Sequence, residues 1–112
     1  MTFNYGDIIT VDFPGITGTK RRPAVILSST TYHSLRPDVI MGLITTQTKN
    51  LGKTDYALQD WETAGLRVPS IFRSFIVTLP RSANLIWIGK VTERDWQGIK
   101  ECIKSSLADL TT

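Results

Sequence analysis

Lys20-Arg21-Arg22-Pro23-Ala24-Val25-Ile26-Leu27-Ser28 sets three adjacent cations against the start of an unbroken apolar run. A short apolar stretch of this kind, opened by a proline that cannot donate a backbone hydrogen bond, reads as a strand from Ala24 to Leu27 buried on both faces, with Pro23 at its first position. Upstream, Gly6-Asp7-Ile8-Ile9-Thr10-Val11-Asp12-Phe13 alternates apolar and polar residues over Thr10 to Phe13 and makes a half-buried strand whose end Pro14 marks. Pro14-Gly15-Ile16-Thr17-Gly18-Thr19 then reads as a flexible loop that delivers the chain to the cations.

Working outward, Ser28 to Pro37 is a connecting loop and Val39 to Thr45 a third strand, with Gly42 marking a bulge or a close backbone approach. Lys53 to Leu58 alternates weakly, as an edge strand does, and is followed by a polar segment, Gln59-Asp60-Trp61-Glu62-Thr63, and a turn at Ala64-Gly65. Ser70 to Leu79, rich in Ile, Phe, Val and Thr and stopped by Pro80, and Leu85 to Val91 complete the strands. Thr92 caps a helix whose acid at Asp95 precedes an apolar stripe of Trp96, Ile99, Ile103, Leu107 and Leu110. Short strands with no crossover helix between them, then one amphipathic helix, indicate a mainly β, α+β fold. The expected form is a small, strongly curved antiparallel sheet or open barrel with the helix packed against it.

The 112 residues suffice for one domain spanning 1–112 and one core. Thirteen Lys and Arg against ten Asp and Glu give a net charge of +3, a mild bias toward anionic partners. Positions 1 to 53 hold Lys20, Arg21, Arg22, Arg36, Lys49 and Lys53 against Asp7, Asp12 and Asp38, so an anion-binding face is expected from the first half. One cysteine, Cys102, and one histidine, His33, exclude an intramolecular disulfide and a zinc-type ligand set; no metal and no cofactor are expected. The chain lacks a membrane-length apolar stretch and a signal-peptide pattern, which points to a soluble cytoplasmic protein.

If the second and third strands are antiparallel neighbours, the start of one lies beside the end of the other, and Arg22 and Thr45 face the same rim. Arg22 offers a planar fork of donors that matches two phosphate oxygens. Thr45 and Thr46 offer hydroxyls to the same group, and Lys20, Arg21 and Lys49 thicken the positive field. The chemistry of such a rim is that of a phosphodiester cradle.

Five blocks, Gly6 to Phe13, Arg22 to Ser28, Ile44-Thr45-Thr46-Gln47-Thr48-Lys49, Gly65-Leu66-Arg67-Val68-Pro69-Ser70 and Ile88-Gly89-Lys90-Val91-Thr92, occur in the order in which the MazF/PemK family of toxins from toxin-antitoxin pairs carries them. The chain resembles that family over most of its length. The resemblance implies an SH3-like open barrel of about five to seven strands, a homodimer, and metal-independent, sequence-specific cleavage of single-stranded RNA. It also implies a cognate antitoxin that restrains the toxin, and DNA binding by the toxin-antitoxin complex. It makes Arg22 and Thr45 the catalytic pair; with them, Lys20, Arg21, Thr46, Gln47, Lys49 and Arg73 are the expected RNA-binding set. Two alternatives use the same barrel without catalysis: a CcdB-like gyrase poison, acting through its C-terminal helix, and a cleavage-defective RNA-binding module.

The chain departs from the family's pattern twice. Residues 14 to 19 lack the acid that many members carry there, and Arg73-Ser74-Phe75 lacks the acid that often follows that arginine. Of the remaining candidates, His33 has no paired acid and is expected to be exposed and idle. Trp96 and Cys102 are expected in the core, Trp87 on the opposite sheet face where a dimer contact is possible, and Trp61 is undecided.

Overall fold

The computed structural model describes residues 2–15, 18–46 and 49–109. Six strands, β1 (Asp7–Gly15), β2 (Gly18–Ile26), β3 (Asp38–Thr45), β4 (Asp55–Ala57), β5 (Ile71–Pro80) and β6 (Ile86–Lys90), form one antiparallel sheet in the order β4-β5-β3-β2-β1-β6. A short helix, α1 (Thr30–Leu35), lies between β2 and β3, and α2 (Glu93–Ser106) follows β6. The fold is the mainly β, open antiparallel sheet with a C-terminal helix that the sequence predicts.

The sheet is buried on both faces at its centre, as the run Ala24 to Ile26, with no exposed surface, requires. On one face Ile8, Val25, Ile44 and Phe72 pack with Ile99 and Cys102 of α2. On the other, Ile9, Val11, Phe13, Ala24, Ile26, Met41 and Leu43 form a second core. Gly42 serves both predicted purposes: the β3–β5 register shifts beside it, and a Cβ there would lie 2.4 Å from the Phe72 ring. The segment after β4 crosses to the far edge of the sheet, where backbone meets backbone between Ala64-Gly65 and Ile88-Gly89 of β6. A Cβ at Gly89 would sit 1.9 Å from the Ala64 carbonyl oxygen, which no side-chain rotation can relieve. Gly89→Ala is therefore expected to lower unfolding free energy by about 1–3 kcal/mol, read as a shift of the urea midpoint.

Several expectations are corrected. Of the presumed loop from Pro14 to Thr19, Pro14 and Gly15 belong to β1 and Gly18 and Thr19 to β2, with Pro14 opposite Thr19 and Gly15 opposite Gly18, while Ile16 and Thr17 lie outside the described residues, and the two strands form a hairpin. Neither proline interrupts it, because of where its nitrogen points. Leu27 N donates to Ile40 O, so odd-numbered residues of β2 turn their donors toward β3, and Pro23 lacks a donor on that side only. Pro14, opposite an odd-numbered residue, likewise faces away from β2, toward β6, whose pairing with β1 ends at Thr10. Pro23 is thus interior to β2 rather than its first residue. The loop after β2 contains α1, started by the Ser29 hydroxyl accepting from Tyr32 N at 3.2 Å. Helix α2 is capped by Thr92 as expected, but ends at Ser106. Leu107 is its extended C-cap and is half exposed, off the core stripe. Leu110 lies outside the described residues.

Candidate functional site

The β2–β3 ladder runs Ile26–Met41, Val25–Gly42, Ala24–Leu43 and then stops. Its next hydrogen-bonded position on β2 is Pro23, which has no N–H to give, so the strands part there. The wedge between them is a cavity of about 150 Å³, lined by Lys20, Arg21, Arg22 and Pro23 from β2, Ile44, Thr45 and Thr46 from the end of β3, and Ser70 just before β5. Continuing the register beyond its last pair sets Arg22 opposite Thr45 on one face. The structure thus gathers Arg22, Thr45, Thr46 and Lys20 around one hollow, and the residue that opens the hollow is Pro23.

The charge within it is unbalanced. Arg21, Arg36, Arg73 and Arg94 each pair with a carboxylate, and Arg81 donates to the carbonyls of His33 and Arg36. The Arg22 side chain, partly buried, has no ion-pair or hydrogen-bond partner among the described residues. A guanidinium held partly out of water without an anion, beside threonine side chains, is a site prepared for a bidentate anion. The volume is well below the roughly 300–1,000 Å³ of cofactor pockets, so it suits one phosphate-sized group with the remainder of a polymer outside.

Other predicted site residues lie elsewhere. Arg21 contributes to the cavity wall, but its guanidinium is occupied with Thr10, Asn84 and Asp12. Arg73 is not gathered with the others: its Nε donates to Asp55 Oδ1 at 3.1 Å, beside a separate hollow that also borders Phe75 and Ser106. Lys49 is exposed beyond the end of β3 and does not line the cavity. Gln47 falls outside the described residues.

Ser70, not singled out from sequence, is 4% exposed and donates its hydroxyl to Val68 O at 2.8 Å. His33 is not idle: partly buried on α1, its Nε2 is hydrogen-bonded at 2.6 Å to Ser28 Oγ, and that hydroxyl oxygen accepts from Ile40 N at 3.0 Å. It supports the β2–α1–β3 connection and does not line the cavity. Trp61 packs against the core beneath α2, as Trp96 does. Trp87 is half exposed on β6, and Cys102 is buried, its thiol pushed up by burial. Among the described residues no His, Cys, Asp and Glu cluster could hold a metal, and no helix is long and apolar enough to cross a membrane.

Comparison with solved structures finds the same fold repeatedly. An endoribonuclease in complex with its cognate antitoxin, from a mycobacterial species, superposes with a TM-score of 0.78 at 19% identity, covering 94% of each chain. A MazE–MazF complex from Deinococcus radiodurans gives 0.75 at 18% identity over 96% of this chain and 97% of that one. The Mycobacterium tuberculosis toxin MazF-mt6 gives 0.68 at 23% identity over 88% and 93%. No curated protein matches the sequence. The family model described as the PemK-like, MazF-like toxin of type II toxin-antitoxin systems matches residues 4–107, and the chain belongs to that family.

Proposed function

We propose that this toxin is an endoribonuclease that cuts single-stranded RNA at specific sequences, without a metal, at the cavity between β2 and β3. The observation that carries this reading is the Arg22 guanidinium, without an ion-pair or hydrogen-bond partner among the described residues, in a hollow of phosphate size that Thr45 also lines. The ribose 2′-hydroxyl attacks the adjacent phosphorus, the bond to the 5′-oxygen breaks, and the products are a cyclic phosphate and a 5′-hydroxyl. The substrate supplies its own nucleophile, so DNA is spared and the protein's part is to orient and neutralise. Arg22 holds two non-bridging oxygens as negative charge accumulates on the five-coordinate phosphorus, and Thr45 contacts the same group. Lys20, Thr46 and Lys49 would guide the flanking backbone.

The toxin would act as a homodimer in the cytoplasm. Its cognate antitoxin would lay an acidic segment over the same cations, replacing RNA phosphates with carboxylates.

A digest of long mixed RNA by the purified protein in EDTA, with the new 5′ ends sequenced, tests the reading. Cuts at a common sequence, all ending in 5′-hydroxyls, are expected. Binding without cuts would replace it with the cleavage-defective module, and inhibition of gyrase with RNA left intact would replace it with the gyrase poison.

A further inference from the structure

Residues Gly18 to Arg22 of β2 pair with β1 alone, because pairing with β3 begins only at Ala24. A two-stranded ribbon is held weakly, yet this ribbon carries Arg22. Alternation along β2 sends Arg21 to the face opposite Arg22, the face it shares with Asp12 across the hairpin. There its Nη2 donates to Thr10 O at 3.0 Å, to Thr10 Oγ1 at 3.1 Å and to Asn84 O at 2.9 Å, while Nη1 stands 3.7 Å from Asp12 Oδ1. Asn84 belongs to the β5–β6 connection, whose other end is fastened by Arg81 to the carbonyls of His33 and Arg36.

We propose that Arg21 is a positioning residue and not an RNA ligand: it braces the unsupported end of β2 against β1 and the β5–β6 connection, and so fixes the direction of Arg22. The inference rests on the nuclease reading for its consequence but not for its geometry. A lysine keeps the charge but lacks the planar fork whose one nitrogen reaches Thr10 and Asn84 while the other faces Asp12. A glutamine removes the charge.

The test uses the whole protein and two variants, Arg21→Lys and Arg21→Gln. The probe is a single-stranded oligonucleotide containing the mapped cleavage sequence, as RNA for kinetics and with one 2′-deoxy nucleotide at the cut for binding. Arg21→Lys is expected to lower kcat about tenfold or more with KM within twofold, since misplacement of a reacting group is costly. Hydrogen exchange of the amides from Gly18 to Arg22 should quicken in both variants. The slope of log binding constant against log salt should be the same for Arg21→Gln as for the original protein. A slope flattened by about 0.7, the value of one phosphate contact on a single strand, together with full kcat in Arg21→Lys, would overturn the proposal. Unchanged exchange at Gly18 to Arg22 would overturn it as well. An original protein that neither binds nor cuts RNA would instead remove the nuclease reading, with the exchange measurement still deciding whether Arg21 is a brace.

Discussion

Arg22→Ala is expected to lower the RNA cleavage rate about 10²- to 10³-fold, the usual loss when one preorganised donor to a developing oxyanion is removed. The same substitution should leave stability within about 0.5 kcal/mol, because no carboxylate or carbonyl among the described residues is the guanidinium's partner. That separation is uncommon among the arginines here. Removing Arg73 or Arg94 would strand Asp55 or Asp60, and removing Arg81 would free two carbonyls at the end of α1. Arg22→Lys should recover little, since a point charge cannot span two phosphate oxygens. The checks are single-turnover cleavage for the rate and urea midpoints for the fold. A variant Arg22→Ala that folds and cuts RNA at the original rate would sink the assignment.

The juxtaposition behind that expectation was legible because apolar residues fix it. Ala24 to Leu27 and Val39 to Thr45 each carry a strand pattern, the link between them is short enough for neighbours, and the buried face determines register. Arg22 and Thr45 follow from it. What could not be read was which way a proline's nitrogen points. Pro14 and Pro23 looked like strand boundaries, yet the cost of a missing N–H depends on whether a partner strand lies on that side, a tertiary fact. The same fact makes Pro23 the wedge that opens the cavity. Helix α1 was hidden for another reason: it buries no residue, so it has no apolar stripe, and its ends are satisfied by the Ser29 hydroxyl and by a guanidinium from Arg81, distant in sequence. The run of cations was read as one field, but strand alternation divides it, sending Arg21 to structural partners and Arg22 to the cavity.

Asp95→Ala is expected to cost about 3–5 kcal/mol, because it removes a fully buried carboxylate that three partly buried donors share, and a hydrogen bond to a charged group is worth about 1.5–3 kcal/mol before water replaces part of it. In a first helical turn an acid ordinarily faces solvent and favours the helix dipole, and nothing in the residues around Asp95 signals otherwise. Here the carboxylate is fully buried. Oδ1 accepts from the Tyr56 hydroxyl at 2.8 Å and Gln59 N at 2.9 Å, and Oδ2 accepts from Asp60 N at 2.8 Å. These bonds moor the segment after β4 to α2, and that segment in turn reaches β6. Beside it the Arg94 guanidinium, then the Thr92 hydroxyl, hold the Asp60 carboxyl below its ordinary range, a stabilisation present at neutral pH and lost as pH falls through that lowered range. Tyr56 reports on the mooring directly. Burial first and the Asp95 hydrogen bond second push its hydroxyl up to about 12. The tyrosine's contribution to stability is fully present below its unfolded value near 10 and disappears as pH rises through 12. Asp95→Asn, which keeps the shape and one acceptor, should move the Tyr56 titration downward in 295 nm absorbance, though not to 10, since burial remains. An unchanged tyrosine titration, or an unchanged urea midpoint in Asp95→Ala, would show that the segment is held by its apolar contacts, with Leu58, Trp61 and Ala64 against Ile99, rather than by this carboxylate.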